Sequence, residues 1–192
     1  MRRGLVSRVL PAPGIGSADM RRPGPIVITG FMGCGKSKVA QELALRRNVV
    51  MVDLDEWITA RVGRSPAQLI TEDGESAFRE IESNALREVL RAGEAGVIAL
   101  GGGAWIEEAN RDLIEQYRCL TVWLDTPFEI CWERIAASEE DRPLGRTREE
   151  AEARYNLRKP IYAMAQLHIR VTQNIDELML TIGKCLTTDY TD

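Results

Sequence analysis

The sequence lacks three features that would each point to a particular class of protein. Its four cysteines are scattered and include no C-x-x-C pair, which argues against a zinc site and against a disulfide framework. No stretch approaches the roughly 18 consecutive apolar residues that a membrane span needs. The net charge of −4 offers no basic excess for nucleic-acid binding. We therefore expect a protein of the reducing cytoplasm without a membrane or nucleic-acid partner. A monomer is also expected, without a sequence signal that determines it.

Residues 1–24 differ in composition from the rest of the 192-residue chain, because they hold five arginines and one acidic residue and are rich in Pro and Gly. Arg8 interrupts their one apolar run, which argues against a secretory signal. Their prolines would break the amphipathic helix of an organelle transit peptide. Two interpretations stay open: a disordered leader, or an upstream start with Met20 as the true first residue. Residues 25–192 are predicted to form a single domain.

Apolar, β-branched runs alternate with helical patterns after residue 24. Continuous apolar strands separated by helices predict a parallel sheet that is covered on both faces. The predicted fold is therefore α/β, a doubly wound five-stranded parallel sheet with helices on both faces. The predicted strands are Pro25–Thr29, Val49–Leu54, Val97–Leu100, Leu120–Leu124 and His168–Thr172.

Several helix boundaries carry recognisable start and stop signals. They are Ser65 as an N-cap before Pro66, a capping box of Thr147 and Glu150, the cap Asn174, and Gly93 as the stop of an amphipathic helix with apolar positions 78, 81, 85, 86 and 89.

A phosphate-binding loop directly follows the first predicted strand. Gly30-x-x-x-x-Gly35-Lys36-Ser37 fits the P-loop pattern in full, and a helix is predicted from Lys36 to about Arg46. The glycines let successive backbone N–H groups point at phosphate oxygens, and the helix N-terminus adds positive charge. Lys36 would contact the β- and γ-phosphates, and the Ser37 hydroxyl would bind Mg²⁺. The loop therefore predicts a bound nucleoside triphosphate, ATP, with magnesium.

Two aspartates end the second predicted strand. Strand alternation would send Asp53 and Asp55 to the same side, at the carboxyl edge where α/β sheets bind ligands. The alternative is that one of them caps a helix that starts near Glu56.

Three further features gain meaning only in combination. Arg79 and Glu82 lie one turn apart on the amphipathic helix, where a surface ion pair is the usual outcome. Gly101-Gly102-Gly103 follows an apolar strand, and three glycines in a row indicate a close approach to the backbone. Arg158, in R-K-P-I-Y, would on its own be a solvated surface residue.

One segment breaks the alternation of strand and helix. Ser138–Arg148 is charged, lacks periodicity and contains Pro and Gly. It is either an idle surface loop or a mobile flap over a binding site.

The combined set of motifs resembles the shikimate kinases. GFMGCGKS, DLD, GRS, FREIE, GGGA, RPL and RKPIY occur in that order and with similar gaps, from about Pro25 to the C-terminus. The P-loop alone is shared by many families, whereas the aspartate pair, F-R-x-x-E, the triple glycine and R-x-P-x-Y together are much more specific. The resemblance implies that ATP phosphorylates the 3-hydroxyl of shikimate, a step towards chorismate and the aromatic amino acids.

The resemblance also implies roles on the acceptor side. Asp55 would orient the attacking hydroxyl and take its proton, and Asp53 would contact Mg²⁺ through water. Arg79 and Arg158 would bind the shikimate carboxylate, where a planar guanidinium suits a carboxylate. The substrate-binding segment would span about residues 55–82, with Glu82 holding Arg79, and Gly101, Gly102 and Gly103 would line the ring.

On the nucleotide side, the lid would span about residues 138–148. Arg142 would reach the transferring phosphate and act with Asp55 and Lys36 in catalysis, and Arg134 would lie near the adenine. The implied nucleotide-binding residues are Gly33, Cys34, Gly35, Lys36, Ser37, Lys38, Arg134 and Arg142.

Three departures from the family pattern accompany the resemblance. Gly145 stands where a second leucine is common in the lid, Pro66 and Ile70 replace an aliphatic residue and a phenylalanine, and Lys38 replaces a threonine. Two alternatives are another small-molecule kinase of the same group, such as a gluconate kinase, and a nucleotide-binding module without catalysis. The arginine pair with the triple glycine argues against the first alternative, and the complete charged set argues against the second.

Overall fold

The computed structural model describes residues 24–138 and 143–171 of the chain. The predictions about the leader, the lid residue Arg142 and the Asn174 cap concern residues outside these ranges.

Five strands form a single parallel sheet, as the sequence predicts. β1 lies in the middle and pairs with β3 on one side and β4 on the other, so that the order is β2-β3-β1-β4-β5. All four residues of β1 are buried, which is typical of a parallel strand with both faces covered. The strands are β1 Ile26–Thr29, β2 Val50–Asp53, β3 Ala95–Ala99, β4 Leu120–Asp125 and β5 Leu167–Arg170.

Helices connect the strands and cover both faces of the sheet. The first crossover runs from β1 to β2, opposite in direction to the later crossovers, and parallel crossovers are right-handed. The first helix therefore lies on one face and the helices of the later crossovers lie on the other. None of the helices in the described part of the chain has the length and apolarity needed to cross a membrane. The helices are α1 Lys36–Arg47, α2 Leu54–Val62, α3 Pro66–Asp73, α4 Glu75–Ala92, α5 Glu108–Gln116, α6 Phe128–Ala136 and α7 Arg148–Tyr162, with a 3-10 turn at Ala104–Ile106.

The predicted helix signals are confirmed where the structure describes them. Ser65 caps α3 and forms a capping box with Gln68, with Pro66 at the first turn. Thr147 and Glu150 form the second capping box at the start of α7. Helix α4 ends before Gly93, whose φ of 67° is in the left-handed region that suits glycine.

The strand prediction is wrong at one end of β2, because α2 begins at Leu54. Asp53 is the last residue of the strand, and its side chain accepts hydrogen bonds from the N–H groups of Asp55 and Glu56. Asp55 therefore lies in the first turn of a helix, and strand alternation does not determine where its side chain points.

The buried sheet brings two glycine loops and the aspartate that ends β2 to one edge. The central residues Val27, Ile98 and Val122 are fully buried and fix the register of β1, β3 and β4. Because the strands are parallel, their carboxyl ends meet at the same edge. Gly30 after β1 and Gly101 after β3 therefore lie at the edge where Asp53 ends β2.

Candidate active site

A cavity of about 1170 Å³ lies at this edge of the sheet, between the phosphate loop and helices α2, α3, α4 and α7. With the exception of Cys34, every predicted site residue within the described ranges lines it. These residues are Gly33, Gly35, Lys36, Ser37, Lys38, Asp53, Asp55, Arg79, Gly101, Gly102, Gly103, Arg134 and Arg158.

The phosphate loop takes the shape that its glycines permit. Gly33 and Gly35 have φ values of 75° and 99°, a region that other residues rarely adopt. The Lys36 Nζ lies 3.0 Å from the carbonyl oxygens of Gly30 and Phe31, so the ammonium group lies against the loop itself. These features supply the backbone amides and the fixed charge that a polyphosphate requires.

Arg134 and Cys34, two further predicted nucleotide-binding residues, take different positions relative to the phosphate loop. Arg134, from α6, donates from Nη1 to the Gly33 carbonyl oxygen at 3.1 Å and so lies over the loop. Cys34 is 1% exposed, and its N–H donates to the Phe31 carbonyl oxygen at 3.2 Å. The geometry therefore does not support a direct nucleotide contact from Cys34, which instead packs beneath the loop.

Asp53 connects the phosphate loop to α2. Its Oδ2 accepts a 2.5 Å hydrogen bond from the Ser37 hydroxyl, while its Oδ1 accepts from the Asp55 N–H at 3.0 Å. Asp53 therefore caps α2, as the capping alternative predicts, and also lines the cavity. A hydroxyl and a carboxylate oxygen are donors that suit Mg²⁺, which takes one or two protein oxygens and completes its shell with phosphate and water.

The Asp55 and Glu82 carboxylates both lie against Gly101, at the place where a side chain would begin. A Cβ on Gly101 would lie 2.7 Å from Asp55 Oδ1 and 2.3 Å from Glu82 Oε1. Glu82 is fully buried, and its Oε1 has no hydrogen-bond partner among the described residues. Burial raises the pKa of Glu82 to about 7, Arg79 opposes this rise, and the negative charge of Asp55 adds to it.

Arg79 is held by two carboxylates of its own helix. Its Nη1 lies 2.5 Å from Glu82 Oε2 and its Nη2 lies 2.9 Å from Glu75 Oε1. The guanidinium also lies over Gly103, where a Cβ would come within 2.3 Å of Arg79 Cζ. With 12% of the Arg79 side chain exposed and none of Glu82, this is a buried ion pair and not the surface pair considered above.

Arg158 is buried against the triple-glycine loop. Its Nη1 donates to the Gly102 carbonyl oxygen at 3.2 Å, and the Tyr162 hydroxyl donates to the same oxygen at 2.5 Å. Burial lowers the pKa of Arg158 from its ordinary value. The interpretation of Arg158 as a solvated surface residue is therefore wrong.

Two residues of this site were missed by the sequence analysis. Glu75 precedes Arg79 by four residues and Tyr162 follows Arg158 by four, so each pair shares a helix face. That spacing was a usable signal, because a long polar side chain one turn from a predicted ligand-binding arginine is placed to hold it.

The comparisons with known proteins agree on one family. The model of the shikimate kinase family matches residues 32–187. A shikimate kinase of Streptococcus thermophilus is 36% identical over 164 residues, which cover 83% of this chain and 98% of that protein. A shikimate kinase of Cereibacter sphaeroides is 35% identical over 167 residues, 85% of this chain and 82% of its own.

Solved structures extend the likeness to the fold. The structure of an Acinetobacter baumannii shikimate kinase in complex with shikimate has a TM-score of 0.81 at 27% identity, covering 88% of this chain and 96% of its own. A gluconokinase of Sinorhizobium meliloti has a TM-score of 0.60 at 16% identity, covering 88% of this chain and 98% of its own, and so shares the fold alone. The match over most of the sequence decides between these two groups: the chain belongs to the shikimate kinase family.

Proposed function

We propose that this protein transfers the γ-phosphoryl group of ATP to the 3-hydroxyl of shikimate, as its family membership indicates. One structural observation carries the proposal. A single cavity holds the phosphate loop on one side and Asp55 with two buried arginines on the other. Phosphoryl transfer needs the donor and the acceptor to be aligned and the developing charge to be neutralised, and this cavity has groups for both tasks.

On the donor side, the amides of Gly33 and Gly35 and the Lys36 ammonium would bind the polyphosphate. Ser37 and Asp53 would hold Mg²⁺, Asp53 through water, and the ion would neutralise phosphate charge and orient the β- and γ-oxygens. The proposed role of Arg142 concerns a residue outside the described ranges and stays a prediction.

On the acceptor side, Asp55 would accept a hydrogen bond from the attacking hydroxyl, fix its direction and take its proton. Arg79 and Arg158 would bind the shikimate carboxylate, each with a planar guanidinium suited to two-point contact. Glu82 keeps Arg79 in place, and the backbone of Gly101–Gly103 would face the ring. The protein's contribution is therefore mainly alignment and charge neutralisation.

The test is ADP release from Mg-ATP with shikimate, with gluconate and without acceptor. Gluconate also carries a carboxylate, so the arginine pair alone does not separate the two acceptors. It is a suitable comparison because it has hydroxyl groups but no ring. We expect ADP to form in equal amount to phosphorylated shikimate. Release that is no faster with shikimate than without it, or that is faster with gluconate, would contradict the proposal.

A further inference from the structure

Glu75 contacts three arginines from two helices. Its Oε1 lies 2.9 Å from Arg79 Nη2, 3.6 Å from Arg158 Nη2 and 3.7 Å from Arg154 Nη1. Arg79 comes from the same helix α4, whereas Arg154 and Arg158 come from α7. One carboxylate oxygen is therefore shared by the two proposed shikimate-binding arginines and a third arginine beside them.

The three positive charges would otherwise repel one another, and two of them lie in a poorly solvated place. The side chains of Arg79 and Arg158 are 12% and 8% exposed, so water screens their repulsion weakly. Burial and the charges of Arg154 and Arg79 lower the pKa of Arg158, while Glu75 opposes that shift. Burial acts to raise the pKa of Glu75, but Arg79, Arg154 and Arg158 together lower it, so Glu75 is ionised at neutral pH.

Glu75 does not belong to the described residues that line the cavity. Arg79 and Arg158 line the cavity, whereas Glu75 and Arg154 are not among the described residues that do. The Glu75 carboxylate therefore touches the guanidinium groups without taking the cavity space in which an acceptor would bind. Because Glu75 lies on α4 and contacts two arginines of α7, it joins the two helices that carry Arg79 and Arg158.

We propose that Glu75 is a positioning residue for carboxylate recognition, which sets the spacing of Arg79 and Arg158 by sharing one oxygen between them and balancing the repulsion of Arg154. The proposal rests on the proposed function, since it assumes that Arg79 and Arg158 bind the carboxylate of shikimate. In this proposal Arg154 adds a third positive charge beside Arg79 and Arg158, and the negative charge of Glu75 offsets it.

The first experiment measures kcat and KM for Glu75→Gln, Glu75→Asp and the control Glu80→Gln. Glu80 is exposed on the same helix, so its variant makes the same charge change away from the arginines. We expect Glu75→Gln to raise the KM for shikimate about tenfold, the usual loss for one charge-assisted contact, with the KM for ATP and kcat within about twofold of wild type. Glu75→Asp keeps the charge with a shorter reach, so its KM should lie between those of wild type and Glu75→Gln. Glu80→Gln should match wild type.

The second experiment adds Arg154→Gln, alone and combined with Glu75→Gln. Arg154 is partly exposed, and its removal alone should change the KM for shikimate less than about twofold. In the double variant the lost positive charge offsets the lost negative charge, so the KM should fall back towards wild type. A merely structural role for Glu75 predicts additive effects and no such recovery.

The outcomes separate this proposal from the proposed function. If wild-type protein does not phosphorylate shikimate, the proposed function fails. If wild type does so while Glu75→Gln leaves the KM for shikimate unchanged or lowers it, the function stands and the positioning role is wrong. If Glu75→Gln melts far below Glu80→Gln, Glu75→Asp replaces it as the test. Glu75→Asp must then raise the KM for shikimate and leave the KM for ATP unchanged.

Discussion

At the scale of single residues, Lys36 and Asp55 line one cavity, and their proposed roles concern opposite partners of the reaction. Lys36 would stabilise charge on the phosphates, whereas Asp55 would orient the hydroxyl that attacks. We expect Lys36→Met and Asp55→Asn each to lower kcat by about 10²–10³, as is common when one well-placed electrostatic group is lost. Steady-state kinetics with shikimate and ATP is the measurement. Lys159→Met on the exposed side of α7 is the control, and a loss of similar size there would mean that the effect is not specific to the site.

Glu82 should make the free energy of unfolding depend on pH. Its pKa rises from 4.5 to about 7 on folding, mainly because burial disfavours the charged form. The folded protein therefore binds the Glu82 proton more tightly than the unfolded chain, and this contribution to stability is present below pH 4.5 and lost as the pH rises to about 7. We expect the free energy of unfolding of wild type, relative to Glu82→Gln, to fall across that interval.

Urea unfolding at several pH values measures this difference. Comparing the two proteins at each pH removes the opposite contribution of Glu75, whose pKa is lowered on folding despite its partial burial. A difference that stays constant between pH 4.5 and 7 would mean that Glu82 has a similar proton affinity in the folded and unfolded states.

At the scale of elements, the triple-glycine loop is fitted between side chains of the protein. Three glycines in a row predict a close approach to the backbone. In the structure, a Cβ on Gly101 would meet the Asp55 and Glu82 carboxylates, and a Cβ on Gly103 would meet the Arg79 guanidinium. Gly102 differs from both, because a Cβ there would come no closer than 3.4 Å, to the Met32 nitrogen.

We therefore expect Gly101→Ala and Gly103→Ala to lower the Tm by several degrees, since overpacking commonly costs about 1–3 kcal/mol. Gly102→Ala should melt within about two degrees of wild type. Thermal unfolding without substrates is the measurement, because it excludes any effect of the added methyl groups on binding. Equal losses in all three variants would instead indicate that the loop needs glycine for its backbone conformation.

Element prediction from the sequence succeeded where the signal was local. The apolar runs located all five strands, and the caps at Ser65 and Thr147 depend on residues within a single turn. The prediction that strand alternation orients Asp55 was wrong for a local reason too. Asp53 can both end a strand and cap a helix, so the pattern D-L-D fits a continuing strand and a starting helix equally well. The burial of Arg158 was not predictable in this way, since it depends on the packing of α7 against a loop more than 50 residues earlier.

At the scale of the whole molecule, the sequence predicted the residues that line the cavity. It predicted less well the contacts that hold those residues in place. Within the described ranges, the predicted site residues line one cavity, with Cys34 as the exception. The charge balance around Glu75 was not foreseen, because it requires knowing that α4 and α7 meet. Motifs identify groups that contact ligands, whereas supporting contacts come from the tertiary arrangement.

Residues 1–19 are expected to be dispensable because of their composition. Their composition, rich in Arg, Pro and Gly, provides little apolar surface to bury. A chain that starts at Met20 should match the full chain in Tm and in kcat. A Tm lower by several degrees would show that the first residues pack against the domain.

The double contact of Asp53 has a consequence for changing the acceptor by protein engineering. One carboxylate joins the Ser37 hydroxyl at the nucleotide side to the first turn of α2, where Asp55 lies. A redesign that shifts α2 to admit a larger acceptor would therefore also move the proposed magnesium partner. Acceptor scope is more safely varied from α3, whose Pro66 and Ile70 line the cavity and belong to a separate helix. Selection experiments that randomise the two helices in parallel should recover more active variants from α3 than from α2.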